Sequence, residues 1–121
     1  MTIPNSDDLL QITRDARGVV TLTLNDPARF NALGADMLCA LQQALDDAGR
    51  DESVRVVVLA AAGKAFCAGH TLKEMAANPE LAYYQKLFAQ CSRMMLTIHK
   101  LSVPVIARVQ GMATAAGCQL V

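Results

Sequence analysis

The sequence predicts an α/β domain, and three observations support this. Two short segments near the start, residues 9–14 and 19–25, are rich in strand-forming residues. Two later segments, residues 54–60 and 102–109, are runs dominated by Val, the pattern of strands covered on both faces of a mostly parallel sheet. Stretches with apolar residues three or four positions apart lie between them. Strands therefore alternate with helices.

Composition excludes several other classes of protein. The chain has 121 residues, of which 53% are hydrophobic, so it can bury a core and is too apolar for a disordered protein. Eleven Lys and Arg balance eleven Asp and Glu, and we expect no nucleic-acid partner. Because no apolar run has the length of a membrane span, we expect no membrane partner either.

The N-terminus and the cysteines bear on location. Residues 1–8 are polar and acidic, and we expect a disordered tail there rather than a signal peptide, which needs a basic start and an apolar stretch. The four cysteines lie far apart without a CxxC pair. This spacing is typical of reduced thiols and predicts neither disulfides nor a metal site. We therefore expect a cytoplasmic protein.

In chain order, the elements begin with a β-hairpin. Residues 9–14 and 19–25 are its two strands, and in the second strand Val and Leu alternate with Thr. Residues 34–48 carry apolar side chains at helical spacing, with Gly49 as the expected C-cap. The buried strand at 54–60 completes the order strand, strand, helix, strand.

The second half repeats the alternation. A glycine-containing loop over residues 61–70 leads into a short helix at 71–77 and a longer one at about 80–101. Residues 102–109 are predicted to form a second buried strand, and a helix of small residues begins at about residue 113. Each of the two buried strands thus ends in a loop of small residues that enters a helix.

These two loops form the candidate site. Loops at the carboxyl ends of strands line the crevice where open α/β sheets bind ligands. Backbone N–H groups at two converging helix starts would stabilise a carbonyl oxygen that gains negative charge in a reaction. Small residues would let a ligand approach the main chain closely. Such turns are also common packing devices, so the local pattern leaves both interpretations open.

Two longer motifs contain these loops, and a third precedes them in the chain. They are DPARFNAL at residues 26–33, KAFCAGHTLKEM at 64–75 and PVIARVQGMATAAGCQL at 104–120. In order and spacing they resemble the crotonase (enoyl-CoA hydratase/isomerase) family, most closely its enoyl-CoA hydratase domain-containing subgroup. The resemblance runs from about residue 9 to the last residue. It implies a crotonase-like ββα spiral core, with residues 1–121 as the N-terminal part of one domain, truncated before its C-terminal helices.

The resemblance assigns roles to particular residues. The family's two oxyanion-hole N–H groups fall on His70 and Ala116, which would hold the thioester carbonyl of an acyl-CoA. Ala115 and Ala116 replace the usual glycines, and we expect both at negative φ because a left-handed alanine costs about 1–2 kcal/mol. The residues expected to contact the acyl-CoA are Ala28, Arg29, Ala32, Ala68, Thr71, Leu72, Met112 and Ala115.

Gln119 departs from the family pattern. Hydratases of the family carry their first catalytic glutamate at this position, and we expect the second to lie beyond residue 121. An amide cannot accept and return a proton as a carboxylate does. The resemblance therefore implies an acyl-CoA-binding protein of the enoyl-CoA hydratase/isomerase type, a lyase or isomerase of fatty acid metabolism, that is impaired as a hydratase.

Several alternatives stay open. The family resemblance implies a homo-oligomer, a trimer or a dimer of trimers, that uses no cofactor besides its coenzyme A substrate. Two alternatives to this enzymatic function are a non-catalytic acyl-CoA-binding or regulatory member of the family and a remnant that binds no ligand.

The imidazole of His70 is expected to take no part in catalysis, since the family uses only the backbone at this position. No base lies near Cys67 or Cys118 in the sequence, so neither is expected to be a nucleophile.

Overall fold

Residues 8–121, which the computed structural model describes, form two sheets, four α-helices and one short 3₁₀ helix at Pro27–Arg29. The expected disordered tail at residues 1–8 lies outside the described residues except for Asp8. In chain order the elements are β1 (Leu10–Arg14), β2 (Val19–Leu24), α1 (Ala35–Arg50), β3 (Val56–Ala61), β4 (Ala65–Cys67), α2 (Leu72–Ala77), α3 (Leu81–Lys100), β5 (Val105–Ala107), β6 (Met112–Ala113) and α4 (Ala116–Leu120).

The larger sheet has the strand order β1, β2, β3, β5, and the smaller sheet pairs β4 with β6. The predicted hairpin is confirmed, because β1 and β2 are antiparallel with Leu10 opposite Leu24. The pairs β2–β3 and β3–β5 are parallel, as expected for strands separated by helices. The fold class is therefore α/β, as predicted.

The hydrophobic core lies between the larger sheet and the two long helices. In β2, Leu22 and Leu24 are fully buried, while the threonines between the apolar residues are half-buried. Helix α1 contacts the sheet and α3, and it buries Leu38 and Leu41 completely, as α3 does Met94. Each fully buried side chain of this size stabilises the fold by roughly 1.5–3 kcal/mol.

Helices α1, α2 and α3 match their predicted positions closely, whereas α4 begins at Ala116 rather than at about residue 113, because Met112–Ala113 forms β6. A further correction concerns the end of α1. Gly49 is not the C-cap, since the helix continues to Arg50 and the chain leaves it at Asp51 in an extended conformation (φ −97°, ψ 108°). A Cβ added at Gly49 would lie 3.1 Å from a methyl carbon of Leu101. The glycine thus allows the last turn of α1 to pack closely against the residue that follows α3.

The segment at residues 102–109 is not the buried strand that its run of Val predicts. Only Val105–Ala107 forms a strand, and Ile106 is 53% exposed. Within residues 8–121, β5 is an edge strand that pairs with β3 alone, and one of its faces is uncovered. The long run dominated by Val therefore reflects neither the length nor the burial of the strand.

The small sheet was not predicted. The loop over residues 61–70 contains β4, a buried three-residue strand that pairs in parallel with β6. Both strands are too short to show a periodic pattern. Their pairing matters for the site, because it brings together the two small-residue loops that follow β4 and β6.

No helix among the described residues is both long and apolar enough to cross a membrane.

Candidate functional site

The two small-residue loops lie side by side. The Thr114 N–H donates a 3.1 Å hydrogen bond to the carbonyl of Cys67. Gly69 has a φ of +86°, and a Cβ at this position would lie 3.1 Å from the Ala115 Cβ and 3.2 Å from the Ala116 backbone nitrogen. Glycine at 69 is therefore needed for its left-handed conformation and for the close approach of the loops. Any side chain there would crowd the N–H of Ala116.

Two backbone donors at this contact are free. Among residues 8–121, neither the N–H of His70, which follows Gly69, nor that of Ala116 donates a hydrogen bond to the protein. The next two N–H groups of α4, those of Gly117 and Cys118, both bond to the Thr114 carbonyl. Because nearly all buried backbone N–H groups are paired, the unpaired N–H of the buried Ala116 is an available donor.

Ala115 has a backbone conformation opposite to the one expected from its side chain. Its φ is +50° and its ψ is −125°, so the expectation of negative φ is wrong for this residue. The sharp turn between β6 and α4 imposes this conformation, which aligns the chain to start the helix at Ala116. This combination of positive φ and negative ψ lies outside the left-handed helical region and is rare for residues other than glycine, so holding alanine in it costs about 1–3 kcal/mol.

We expect Ala115→Gly to raise the free energy of unfolding by about 1 kcal/mol, because glycine removes the penalty of positive φ. Ala116→Gly is the matched control. Ala116 is helical with negative φ, so glycine there should lower the free energy of unfolding by about 0.5–1 kcal/mol. Urea denaturation measures the free energy of unfolding of both variants. If glycine changed it in the same direction at both positions, the strain at Ala115 would be contradicted.

A groove of about 840 Å³ opens beside the two loops. Seven of the predicted site residues line it: Arg29, Ala32, Ala68, His70, Thr71, Leu72 and Ala115. Four others do not line it: Ala28, Met112, Ala116 and Gln119. Of these, Ala116 is buried next to the lining residue Ala115, whereas Met112 and Gln119 are exposed.

Residues 26–33 reach the groove because a buried asparagine holds this loop in place. Asn31 is fully buried with a φ of +55°. Its side-chain oxygen accepts a 2.8 Å bond from the Asp26 N–H, and its side-chain nitrogen donates to the carbonyls of Ala62 (2.9 Å) and Ala65 (3.0 Å). The loop also bonds directly to the site, since the Leu33 N–H donates to the Gly69 carbonyl at 2.6 Å.

Two residues that line the groove, one aromatic and one acidic, were not predicted from the sequence. Phe88 of α3 lines the groove, with its ring centroid 5.1 Å from that of His70, and Glu74 of α2 lines it as well. The sequence could have indicated Phe88, because this large aromatic residue lies outside the apolar stripe by which α3 packs against the core. Glu74 had no sequence signal, because it lies on an exposed short helix.

Cys67 is unsuited to nucleophilic chemistry. Its thiol donates to the Asn31 carbonyl at 3.2 Å, and burial raises its pKa. A raised pKa lowers the fraction of thiolate, which is the reactive form. Cys67 is thus a packing residue beneath the loops.

Comparison with known proteins identifies the family. Residues 14–121 match the sequence pattern of the enoyl-CoA hydratase/isomerase family. The chain belongs to this family. It has a crotonase-like fold, since it superposes on an enoyl-CoA hydratase from Mycobacterium smegmatis with a TM-score of 0.93 and 64% identity, over 94% of this chain and 44% of that one. The human enoyl-CoA hydratase domain-containing protein 3 superposes with a TM-score of 0.87 and 35% identity, over 93% and 44% of the two chains.

Curated relatives cover the same region. The mitochondrial enoyl-CoA hydratase domain-containing protein 3 of Xenopus laevis is 39% identical over 112 residues, which are 93% of this chain and 38% of that protein. The 1,2-epoxyphenylacetyl-CoA isomerase of Escherichia coli is 35% identical over 109 residues, 86% of this chain and 41% of that protein. This member of the enoyl-CoA hydratase/isomerase family therefore spans about two fifths of the length of its curated relatives.

Proposed function

We propose that this chain binds acyl-CoA thioesters, with the thioester carbonyl held by the backbone N–H groups of His70 and Ala116. The observation that carries the proposal is the pair of unpaired N–H groups at two loops in contact. Membership of the enoyl-CoA hydratase/isomerase family supplies the ligand class. The groove beside the loops is large enough for part of an acyl-CoA.

The lining of the groove suits the two ends of such a ligand. Ala32, Ala68, Leu72 and Phe88 offer apolar surface to an acyl chain. Arg29 and Lys73 are the cations of the lining and would approach the phosphates of coenzyme A. In this proposal Ala28 and Met112 contact the bound molecule from just outside the groove.

The two donors would stabilise the enolate-like form of the thioester and so acidify the carbon next to the carbonyl. One oxyanion-hole donor typically stabilises a transition state by about 3–4 kcal/mol. This chemistry is common to hydration and isomerisation, the two activities in the family's description. Hydration also needs one group to activate water and one to deliver a proton, each contributing roughly 10²–10⁴-fold.

We expect the chain to bind butyryl-CoA without hydrating crotonyl-CoA at an enzymatic rate. The amide of Gln119 supplies no proton transfer, and Gln119→Glu alone should not restore hydration because it provides only one of two groups. Calorimetry measures the binding, and the disappearance of the enoyl thioester absorbance measures turnover. Rapid hydration by the unmodified chain would contradict the role assigned to Gln119, and the absence of any acyl-CoA binding would favour a remnant without ligand.

Gln119 favours one second candidate, a non-catalytic acyl-CoA-binding or regulatory member. Binding without turnover of any enoyl- or acyl-CoA substrate would support it. We further propose a homo-oligomer, a trimer or a dimer of trimers, because large apolar side chains away from the groove, such as Leu81, Leu96 and Ile106, are exposed. We propose a cytoplasmic location and a place in fatty acid metabolism for this chain, although the relative from Xenopus laevis is named as mitochondrial.

A further inference from the structure

Helix α2 packs against the core through one half-buried side chain, that of Met75, and is otherwise held in place by polar contacts. None of its six residues, Leu72–Ala77, is buried. Yet this helix begins two residues after His70 and contributes five residues to the wall of the groove: Leu72, Lys73, Glu74, Met75 and Ala77. A short helix without buried side chains is marginally stable by itself. Its position therefore depends largely on particular bonds to neighbouring elements, with Met75 as its one contact to the core.

Those bonds converge on one carboxylate. Glu74 Oε1 accepts a 3.2 Å hydrogen bond from the backbone N–H of Ala35, the first residue of α1, and a short hydrogen bond from the Tyr83 hydroxyl of α3. The bond to Glu74 raises the pKa of Tyr83 to about 12, so the phenol remains a donor throughout the neutral pH range. Tyr84 adds a 3.0 Å bond from its hydroxyl to the Met75 carbonyl.

The other carboxylate oxygen lies against the start of α1. A Cβ at Gly34 would lie 2.5 Å from Glu74 Oε2 and 3.3 Å from the Thr71 hydroxyl oxygen. Gly34, the N-cap residue, offers no side chain to satisfy the first N–H groups of α1. Glu74 replaces that missing cap from a neighbouring helix, and in doing so fixes the distance from α1 to the loop that carries His70.

We propose that Glu74 is a positioning residue of the acyl-CoA site, which holds α2 against α1 and α3 and thereby sets the position of the His70 N–H. This inference rests on the proposed function. Glu74 touches neither the carbonyl nor the reacting carbon in this role. It acts through the two residues between α2 and Gly69, because a displacement of α2 moves the His70 N–H relative to that of Ala116.

The test compares two ligands that differ only at the carbonyl. Butyryl-CoA carries the thioester carbonyl, and S-butyl-CoA has a methylene in its place. In Glu74→Ala, we expect the preference for butyryl-CoA over S-butyl-CoA to fall by about tenfold, because the hydrogen bonds to the carbonyl are what distinguish the two ligands and a displaced His70 N–H no longer makes its bond. In Glu74→Gln the preference should be retained, since the amide oxygen still accepts from Ala35 and Tyr83.

Hydrogen exchange provides a readout that does not depend on the ligand. The Met75 N–H bonds to the Thr71 carbonyl inside α2, and we expect its protection to drop in Glu74→Ala and, to a smaller extent, in Tyr83→Phe. Glu52→Ala, at an exposed turn remote from the groove, is the matched control and should change neither readout. The thermal midpoint, measured for every variant, separates local loosening from global unfolding.

The outcomes distinguish the two proposals. If the wild-type chain prefers butyryl-CoA and Glu74→Ala keeps that preference with normal protection of α2, the role of Glu74 is overturned while the proposed function stands. If Glu74→Ala loses both the preference for butyryl-CoA and the protection of α2, and Glu74→Gln retains both, the positioning role of Glu74 is supported. If the wild-type chain binds the two ligands equally, the proposed function fails and the role of Glu74 falls with it.

Discussion

Replacing Asn31 by alanine is expected to lower the free energy of unfolding by about 3–5 kcal/mol. The side chain makes three hydrogen bonds to main-chain groups of Asp26, Ala62 and Ala65. Each buried partner left without a hydrogen bond costs about 1–3 kcal/mol; of the three, the Ala65 carbonyl keeps a second donor, the Gln110 side chain. Alanine also tolerates the left-handed backbone at this position less well than asparagine.

The control for Asn31→Ala is Asn78→Ala. Asn78 is exposed and its side chain makes one hydrogen bond, to the Glu74 carbonyl at 3.1 Å, so its removal should cost about 1 kcal/mol or less. Equilibrium denaturation in urea gives both values. A loss at Asn31 no larger than that at Asn78 would show that the buried network does not hold residues 26–33 in place.

His70→Pro should weaken binding of butyryl-CoA by about tenfold, because only proline removes the backbone N–H proposed to hold the carbonyl, and one such hydrogen bond contributes about 0.5–1.5 kcal/mol. His70→Ala keeps the N–H and loses the ring contact with Phe88 and the 3.4 Å approach of Nδ1 to the Leu33 carbonyl. We expect it to bind within about threefold of the wild type, since a surface ring contact contributes about 1 kcal/mol or less.

The general effect of a proline needs its own control. Leu81→Pro places the ring at the first residue of α3, after Glu80 in an extended conformation (φ −113°, ψ 137°), where helices accept proline. Leu81 does not line the groove, so this variant should bind butyryl-CoA normally. Equal loss of binding in His70→Pro and His70→Ala would instead assign the role to the imidazole.

The larger elements were predictable because their patterns are long. The alternation of Thr with Val and Leu in β2 and the apolar stripe of α3 each extend over several repeats and reflect burial on one face. The strands β4 and β6 have three and two residues, which is below the length at which a period can be recognised. The exposure of Ile106 depends on whether another layer covers that face of β5, which the sequence of the strand does not encode.

The site was predictable only in part for related reasons. Small residues at Gly69 and Gly117 indicated close approach between backbones, and the structure brings their loops into contact. The positive φ of Ala115 opposes the intrinsic preference of alanine. The prediction of a negative φ, which rested on that preference alone, is therefore wrong. Glu74 and Phe88 reach the groove through tertiary packing of α2 and α3, and no local pattern marks such residues.

The most direct test of the carbonyl-binding site is the ratio of the dissociation constants of the wild-type chain for S-butyl-CoA and butyryl-CoA, measured by calorimetry at one salt concentration. The two ligands share the coenzyme and the chain length and differ in one oxygen. If the His70 and Ala116 N–H groups bind that oxygen, butyryl-CoA should bind at least about tenfold more tightly, because two hydrogen bonds contribute about 1–3 kcal/mol together. Equal dissociation constants, or tighter binding of S-butyl-CoA, would contradict the assignment of these two N–H groups.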